Sequence, residues 1–168
     1  KQKTAYEIPK RDWSSDVCSS DLVNEAQKGR LVAKMARHFG GTAGLAGKTI
    51  AVWGLAFKPR TDDMREAPAI TIIEQLLAAN ASVRAYDPEA AGTARRLFGD
   101  RIRLVERSYD ALEGADALAI VTEWNEFREP DFEKMRRQMR APVIFDGRNL
   151  YAPEHMRALG FTYASIGR

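Results

Sequence analysis

A short loop rich in charged side chains offers the most chemistry in this chain. The segment GLAFKPRTDDMREAP, residues 54–68, carries three cations, three carboxylates and one aromatic side chain, which are Lys58, Arg60, Arg65, Asp62, Asp63, Glu66 and Phe57. It follows a predicted buried strand and leads into a predicted helix that opens at Pro68. Backbone N–H groups and the helix dipole favour an anion at such a helix start, so the loop can hold a phosphate. A solvated charged loop is the simpler interpretation on composition alone.

Four other residues have side chains that could bind a ligand or a metal. Arg148 lies in FDGRN at the end of another predicted strand, where an arginine can bind a phosphate with two nitrogens or form a surface ion pair. Asp87 ends a strand where an acidic residue could meet a ribose hydroxyl. The glycine fingerprint of dinucleotide sites is absent, however, so a turn-forming Asp-Pro is favoured. His38 and His155 lie on predicted helices without a partner at ligand spacing, so we expect no metal site.

The elements that must position these residues alternate between strand and helix. Strands are predicted at residues 48–54, 82–88, 102–105, 116–124, 142–149 and 161–167. Helices are predicted at residues 23–39, 67–79, 89–98, 131–139 and 153–160. Repeated βαβ units predict an α/β fold, a doubly wound parallel, Rossmann-like sheet preceded by a long connecting helix. Ligands of such sheets bind beyond the carboxyl ends of the strands, where the charged loop and Arg148 both lie.

Composition bounds the possible partners. The chain has 168 residues, of which 45% are hydrophobic and 29% charged, as in an ordinary globular protein. The net charge of +3 comes without a dense Lys/Arg run, so no nucleic acid is expected. No apolar run approaches the roughly 20 residues of a membrane span, so no membrane partner is expected. A single cysteine excludes an internal disulfide and suits a cytoplasmic protein. The first residues contain neither an initiator Met nor a signal peptide, so we expect the chain to begin inside a longer protein.

Several motifs together resemble one family. The segments GKTIAVWGLAFKPRTDDMREAPAITIIEQLL, VTEWNEFR and FDGRN are similar to the C-terminal, UDP-binding domain of the UDP-glucose 6-dehydrogenases, a branch of the UDP-glucose/GDP-mannose dehydrogenase family. VNEAQKGRLVAKM resembles the long connecting helix of that family, and KTAYEIP resembles the end of the preceding helix. The resemblance covers nearly all of residues 23–168. It departs at Asn80, where relatives usually have glycine, but Asn tolerates the left-handed end of a helix.

The resemblance, together with the glycine-rich GGTAGLAG, implies a division of the chain. The predicted parts are the end of an upstream helical region at 1–10, a central dimerisation helix at 23–39, a linker at 40–47 and a UDP-sugar-binding domain at 48–168. The dimerisation helix implies a homodimer.

The resemblance also implies an activity for the longer parent protein. That enzyme of polysaccharide biosynthesis would oxidise UDP-glucose to UDP-glucuronate with NAD, through a thioester on a cysteine of the N-terminal part, so this chain alone should be inactive. By position, Phe57, Lys58 and Arg148 would bind the UDP-sugar, Arg65 would reach NAD, and no metal is implied.

Two alternatives stay open. A sister enzyme acting on UDP-N-acetylmannosamine or GDP-mannose would share these motifs, because the residues that select the sugar lie mostly in the other half. More remotely, a non-enzymatic receiver-like domain is also doubly wound. That domain would need an acidic pair immediately after the first strand, whereas the pair Asp62–Asp63 comes eight residues after Gly54.

The segment RDWSSDVCSSDL, Arg11–Leu22, interrupts the resemblance. It has four serines, three aspartates, no apolar period and the only cysteine, Cys18. The family nucleophile lies in a GGSCFPKD-type motif before KTAYEIP, whereas Cys18 lies after it and has no flanking glycines. With its first base free, the segment back-translates to a common sequencing-library adapter. We therefore interpret Arg11–Leu22 as translated adapter sequence and Cys18 as a residue without a catalytic role.

Overall fold

A six-stranded parallel sheet forms the centre of the computed structural model, which describes residues 29–166. The strands are β1 (Thr49–Trp53), β2 (Ser82–Tyr86), β3 (Arg103–Leu104), β4 (Ala117–Ile120), β5 (Val143–Asp146) and β6 (Thr162–Ser165). Their order is β3-β2-β1-β4-β5-β6, and every neighbouring pair is parallel. The predicted doubly wound α/β fold is confirmed. This order differs from the 2-1-3-4-5 order of receiver-like folds, so that alternative is wrong. The interpretation of Arg11–Leu22 and Cys18 lies outside the described residues.

Helices cover both faces of the sheet. They are α1 (residues 29–38 of those described), α2 (Pro68–Ala78), α3 (Ala91–Phe98), α4 (Ser108–Leu112), α5 (Phe132–Gln138) and α6 (Pro153–Ala158). Short 3-10 turns occupy Thr42–Leu45, Gly99–Arg101 and Asn125–Phe127. The sequence did not predict α4, because its five residues are too few to display a helical period. No helix in the part of the chain described here is long and apolar enough to cross a membrane.

Two hydrophobic clusters explain why the central strands are buried on both sides. Ile50 and Val52 of β1 face a cluster that includes side chains from α1, α2 and α3. Ala51 and Trp53 face the opposite cluster, which takes side chains from α4, α5 and α6. All residues of β4 and β5 are buried. Continuous apolar strands are expected when helices cover both faces of a parallel sheet.

Helix α1 packs onto the same core as the sheet. Leu31 and Met35 are fully buried there, Val32 is nearly so, and Phe39 packs beside them. The segment 40–47 contains a 3-10 turn, and Leu45 of that turn is buried in the core. The limits proposed for the helix, the linker and the UDP-sugar-binding domain stay a prediction.

Gly54 allows the chain to leave β1 close to the end of β4. Its φ is 89°, a left-handed value that favours glycine. A Cβ atom at this position would lie 2.5 Å from the Thr122 Cβ and 2.6 Å from the Thr122 backbone nitrogen. The Thr122 hydroxyl donates to the Ala56 carbonyl at 2.6 Å, which fixes the two loops against each other. The sequence therefore needs glycine where the two loops separate.

We predict that Gly54→Ala lowers the free energy of unfolding by about 2 kcal/mol or more, because it combines an unfavourable φ with overpacking. Gly92→Ala is the matched control, since Gly92 lies in α3 and a Cβ atom there would meet no other atom within 4 Å. That change should be neutral or stabilise by up to about 1 kcal/mol. Urea denaturation measures both values, and equal effects would contradict the close approach at Gly54.

Candidate functional site

The strand order places the candidate site between β1 and β4. The chain passes from β1 through α2 to β2 on one side, then returns to β4 on the other side of β1. The β1 loop (residues 54–67) and the β4 loop (residues 121–131) therefore diverge at the carboxyl edge of the sheet. Such a switch point is where doubly wound sheets bind ligands. The β5 loop (residues 147–152) ends at the same edge.

Asp87 ties these loops together. Its side chain is buried, and its two carboxylate oxygens accept five hydrogen bonds of 2.7–3.1 Å. The donors are the backbone N–H groups of Leu55, Ala56, Glu89 and Ala90 and the indole Nε1 of Trp124. The bonds from Glu89 and Ala90 close the turn after β2, which confirms the turn interpretation of Asp87. With five donors already bound, the carboxylate has little capacity left for a ribose hydroxyl.

The β1 loop is held by its own hydrogen bonds and by buried side chains, of which Met64 is the largest at the centre of the loop. The Phe57 N–H donates to the Asp63 carbonyl at 2.9 Å, and Met64 is almost fully buried in the core. Arg60 and Glu66 have left-handed φ values of 65° and 56°. Non-glycine residues adopt this conformation at a cost of about 1–3 kcal/mol each, and they cluster at ligand sites.

Phe57 and Lys58 are exposed on this fixed loop. Phe57 is 44% exposed, which is unusual for a large hydrophobic side chain in this fold. The Lys58 ammonium lies 5.6 Å from the centroid of the Phe57 ring. No residue in the described range 29–166 forms a hydrogen bond or an ion pair with Lys58. The loop therefore offers a cation and an aromatic face to a ligand.

Arg65 lies on the same loop but is engaged by Asp63. Its Nε donates to Asp63 Oδ1 at 3.0 Å, and its Nη2 donates to Oδ2 at 2.8 Å. These hydrogen bonds lower the pKa of Asp63 to about 2. The Arg65 side chain is still 89% exposed. It borders a cavity of about 560 Å³ between the β1 loop, α2 and α3, whose other lining residues are Thr61, Asp62, Asp63, Met64, Ile70, Thr93 and Leu97.

Arg148 borders a different cavity, at the end of β5. Its Nε donates to Glu123 Oε2, so the ion pair that the sequence left open is present. Its backbone N–H donates at 2.8 Å to Asp146, which is fully buried. The cavity measures about 350 Å³ and is lined by Glu123, Arg128, Gly147, Arg148, Asn149 and Leu150. Arg65 and Arg148 thus border separate cavities on the two sides of the switch point.

Asp146 at the end of β5 resembles Asp87 at the end of β2, because it is also buried and also accepts hydrogen bonds from the backbone that follows. Besides Arg148, it accepts hydrogen bonds from the Leu150 N–H and the Tyr163 hydroxyl, both at 2.7 Å. Burial and this hydrogen bond raise the pKa of Tyr163, so its hydroxyl stays a donor. The sequence prediction missed Asp146, although YDP and FDG share a signal: an aromatic residue, Asp and a turn residue at a strand end.

The two histidines have no role in this arrangement. His38 packs edge-on against the rings of Phe39 and Phe145, and His155 lies near Phe132. Among residues 29–166, no group of three His, Cys, Asp or Glu side chains could hold a metal ion.

Comparison with known proteins places the chain in a family. Residues 51–153 match the model of the UDP-glucose/GDP-mannose dehydrogenase family, UDP binding domain. The chain belongs to this family. The predicted resemblance to the C-terminal domain of the UDP-glucose 6-dehydrogenases is confirmed. The domain therefore comes from the nucleotide-sugar dehydrogenases.

Curated relatives of this UDP-binding domain are longer than the chain. It is 55% identical to the UDP-glucose 6-dehydrogenase of Pseudomonas aeruginosa over 127 residues, which are 73% of this chain and 28% of that protein. It is 44% identical to the enzyme of the same name from Rhizobium meliloti over 146 residues, which are 87% of this chain and 33% of that protein. The chain thus spans about a third of the length of these relatives.

Solved structures share the fold of the domain. A UDP-glucose dehydrogenase from Pyrobaculum islandicum superposes with a TM-score of 0.69 at 32% identity, over 86% of this chain and 30% of that one. A UDP-D-ManNAc dehydrogenase from Pyrococcus horikoshii gives 0.65 at 29% identity, over 86% of this chain and 31% of that one.

We predict that Asp87→Ala lowers the free energy of unfolding by about 3 kcal/mol or more, because buried N–H groups lose their acceptor. Asp62→Ala removes an equal charge from an exposed position and should change stability by less than about 0.5 kcal/mol. Chemical denaturation measures both variants. A folded Asp87→Ala protein of unchanged stability that fails to bind ligand would instead make Asp87 a ligand contact.

Proposed function

We propose that this domain holds the UDP-glucose substrate of an NAD-dependent UDP-glucose 6-dehydrogenase. The observation that carries the proposal is the exposed Phe57–Lys58 pair on a fixed loop at the switch point. The relatives that match this chain at 55% and 44% identity bear that enzyme name, which supports glucose as the sugar.

The exposed groups suit the parts of a nucleotide sugar. A UDP-sugar carries a diphosphate, which a lysine ammonium attracts as a point charge. The Phe57 ring gives an apolar surface on which a planar base or the face of a sugar ring can pack. Arg148 adds a guanidinium at the neighbouring strand end, where its remaining N–H groups can donate to a phosphate. We assign Phe57, Lys58 and Arg148 to the substrate on these grounds.

Arg65 suits the second ligand, NAD. Its side chain is 89% exposed and borders a cavity separate from that of Arg148. We propose that it contacts NAD held by the N-terminal part of the parent enzyme. NAD bound there would accept hydride from the sugar C6. The nucleophilic cysteine would lie in the same part. This chain alone should therefore form no NADH from UDP-glucose.

The setting of the parent enzyme is proposed from the family resemblance. We place it in the cytoplasm, in the synthesis of sugar acids for polysaccharides, as a homodimer that pairs through the helix predicted at 23–39. A specificity for UDP-N-acetylmannosamine is the second candidate. The Pyrococcus horikoshii protein, which shares the fold at 29% identity, bears the name of a dehydrogenase of that sugar. Comparing UDP-glucose with UDP-N-acetylmannosamine as substrates of the full-length enzyme separates the two.

We predict that Lys58→Ala weakens UDP-glucose binding to the 168-residue chain by about 10- to 150-fold, the effect of losing a charge-assisted hydrogen bond. Arg65→Ala is the matched control, because it removes one positive charge from the same loop; affinity should stay within about threefold. In the chain joined to its N-terminal part, Arg65→Ala should instead weaken NAD.

Calorimetric titration of each ligand against each variant checks this division. An equal loss of UDP-glucose affinity in both variants would show that the loop acts only through its structure. Wild-type chain that binds no UDP-glucose would contradict the proposed function.

A further inference from the structure

Glu123 is a residue of the β4 loop whose carboxylate contacts Arg148, which we propose binds the substrate. Its Oε2 accepts from Nε of Arg148, 25 residues further along the chain. The hydrogen bond to Arg148 and the charges of Arg148 and Arg128 lower the pKa of Glu123, so the carboxylate is ionised at neutral pH. All three side chains line the 350 Å³ cavity at the end of β5. The β4 and β5 loops are thereby joined at this cavity.

The nitrogen used by this ion pair leaves the rest of the guanidinium available. A guanidinium has five N–H donors, and Nε carries one of them. Within residues 29–166, no acceptor is bound to the two terminal nitrogens of Arg148. Those two nitrogens form the fork that matches a phosphate. The ion pair therefore holds the guanidinium through Nε and leaves the two terminal nitrogens available to a phosphate.

A purely stabilising ion pair explains this arrangement less well. The side chains of Arg148 and Glu123 are 35% and 28% exposed, and they border an open polar cavity. Ion pairs in contact with solvent contribute little to stability, because water screens them. The backbone of Arg148 is already fixed by the buried Asp146. What Glu123 adds is the orientation of the Arg148 side chain.

We propose that Glu123 is a positioning residue that holds Arg148 through Nε, so that the terminal nitrogens bind a phosphate oxygen of the nucleotide sugar. The inference rests on the proposed function. It also predicts whether removal of Glu123 strengthens or weakens ligand binding, and charge repulsion alone would predict the opposite direction. A carboxylate next to an anion site repels the anion, so its removal would tighten binding if Glu123 were only a neighbour. Removal of a positioning residue weakens binding.

The test is calorimetric titration of UDP into the 168-residue chain and its variants. Glu123→Ala should weaken binding by about 2- to 10-fold, the effect of losing one net hydrogen bond. Glu123→Gln keeps an oxygen that can accept from Nε, and its affinity should stay within about threefold. Glu123→Asp keeps the charge but is one methylene shorter, so it should weaken binding as Ala does. Glu129→Ala, an exposed carboxylate of the same loop, controls for the change in net charge.

A double-mutant cycle separates positioning from a general structural effect. Arg148→Ala should weaken binding, and adding Glu123→Ala to it should cause no further loss, because the two residues act as one unit. Thermal unfolding checks that each variant is folded. If Glu123→Ala does not fold, the contrast between the Gln and Asp variants decides.

The outcomes distinguish the inference from the function on which it rests. Wild-type chain that binds no UDP would overturn both. Binding that Arg148→Ala weakens and Glu123→Ala leaves unchanged or tightens would overturn only the positioning role. Losses from Glu123→Ala that persist in full in the Arg148→Ala background would overturn it as well.

Discussion

A buried carboxylate at the end of β2 is the constraint on which the candidate site depends. The β1 and β4 loops diverge at the switch point, which leaves backbone N–H groups inside the protein without strand partners. Asp87 accepts from Leu55 and Ala56 in one loop and from Trp124 in the other. Unsatisfied buried donors would each cost about 1–3 kcal/mol, so this carboxylate fixes where both loops begin. The exposed Phe57 and Lys58 follow the anchored Leu55 within three residues.

A second buried carboxylate holds the backbone at the other end of the site. Asp146 ends β5 and accepts from the backbone of Arg148 and Leu150. Buried anions thus shape the loops, while the cations Lys58, Arg65 and Arg148 lie nearer to solvent. This division suits a domain that binds phosphates, because the carboxylates are satisfied by the protein itself and the cations can serve a ligand. Asp63 and Glu123 then add a carboxylate beside two of the cations, which orients each guanidinium.

Much of the fold follows from sequence, but most contacts of the site do not. Apolar strands such as ALAI of β4 and the proline that opens α2 are local signals, and the sheet they predicted is present. Helix α4 was missed because five residues show no period. The ion pair of Glu123 and Arg148 joins residues 25 apart, and the bond from Trp124 to Asp87 joins residues 37 apart. Such pairs depend on the strand order, which no local pattern encodes. The roles of Phe57, Lys58, Arg65 and Arg148 came from family resemblance and stay predictions.

We place the nucleotide-sugar site at the carboxyl edge of the sheet, between β1, β4 and β5. A UDP titration of the labelled chain, followed by its backbone amide NMR shifts, locates the bound nucleotide residue by residue. We expect the largest shifts in residues 54–67, 121–131 and 147–152, with little change on α1 or at the amino ends of the strands. Saturable shifts that instead centre on α1 and β6, with the three loops unchanged, would refute this location of the site.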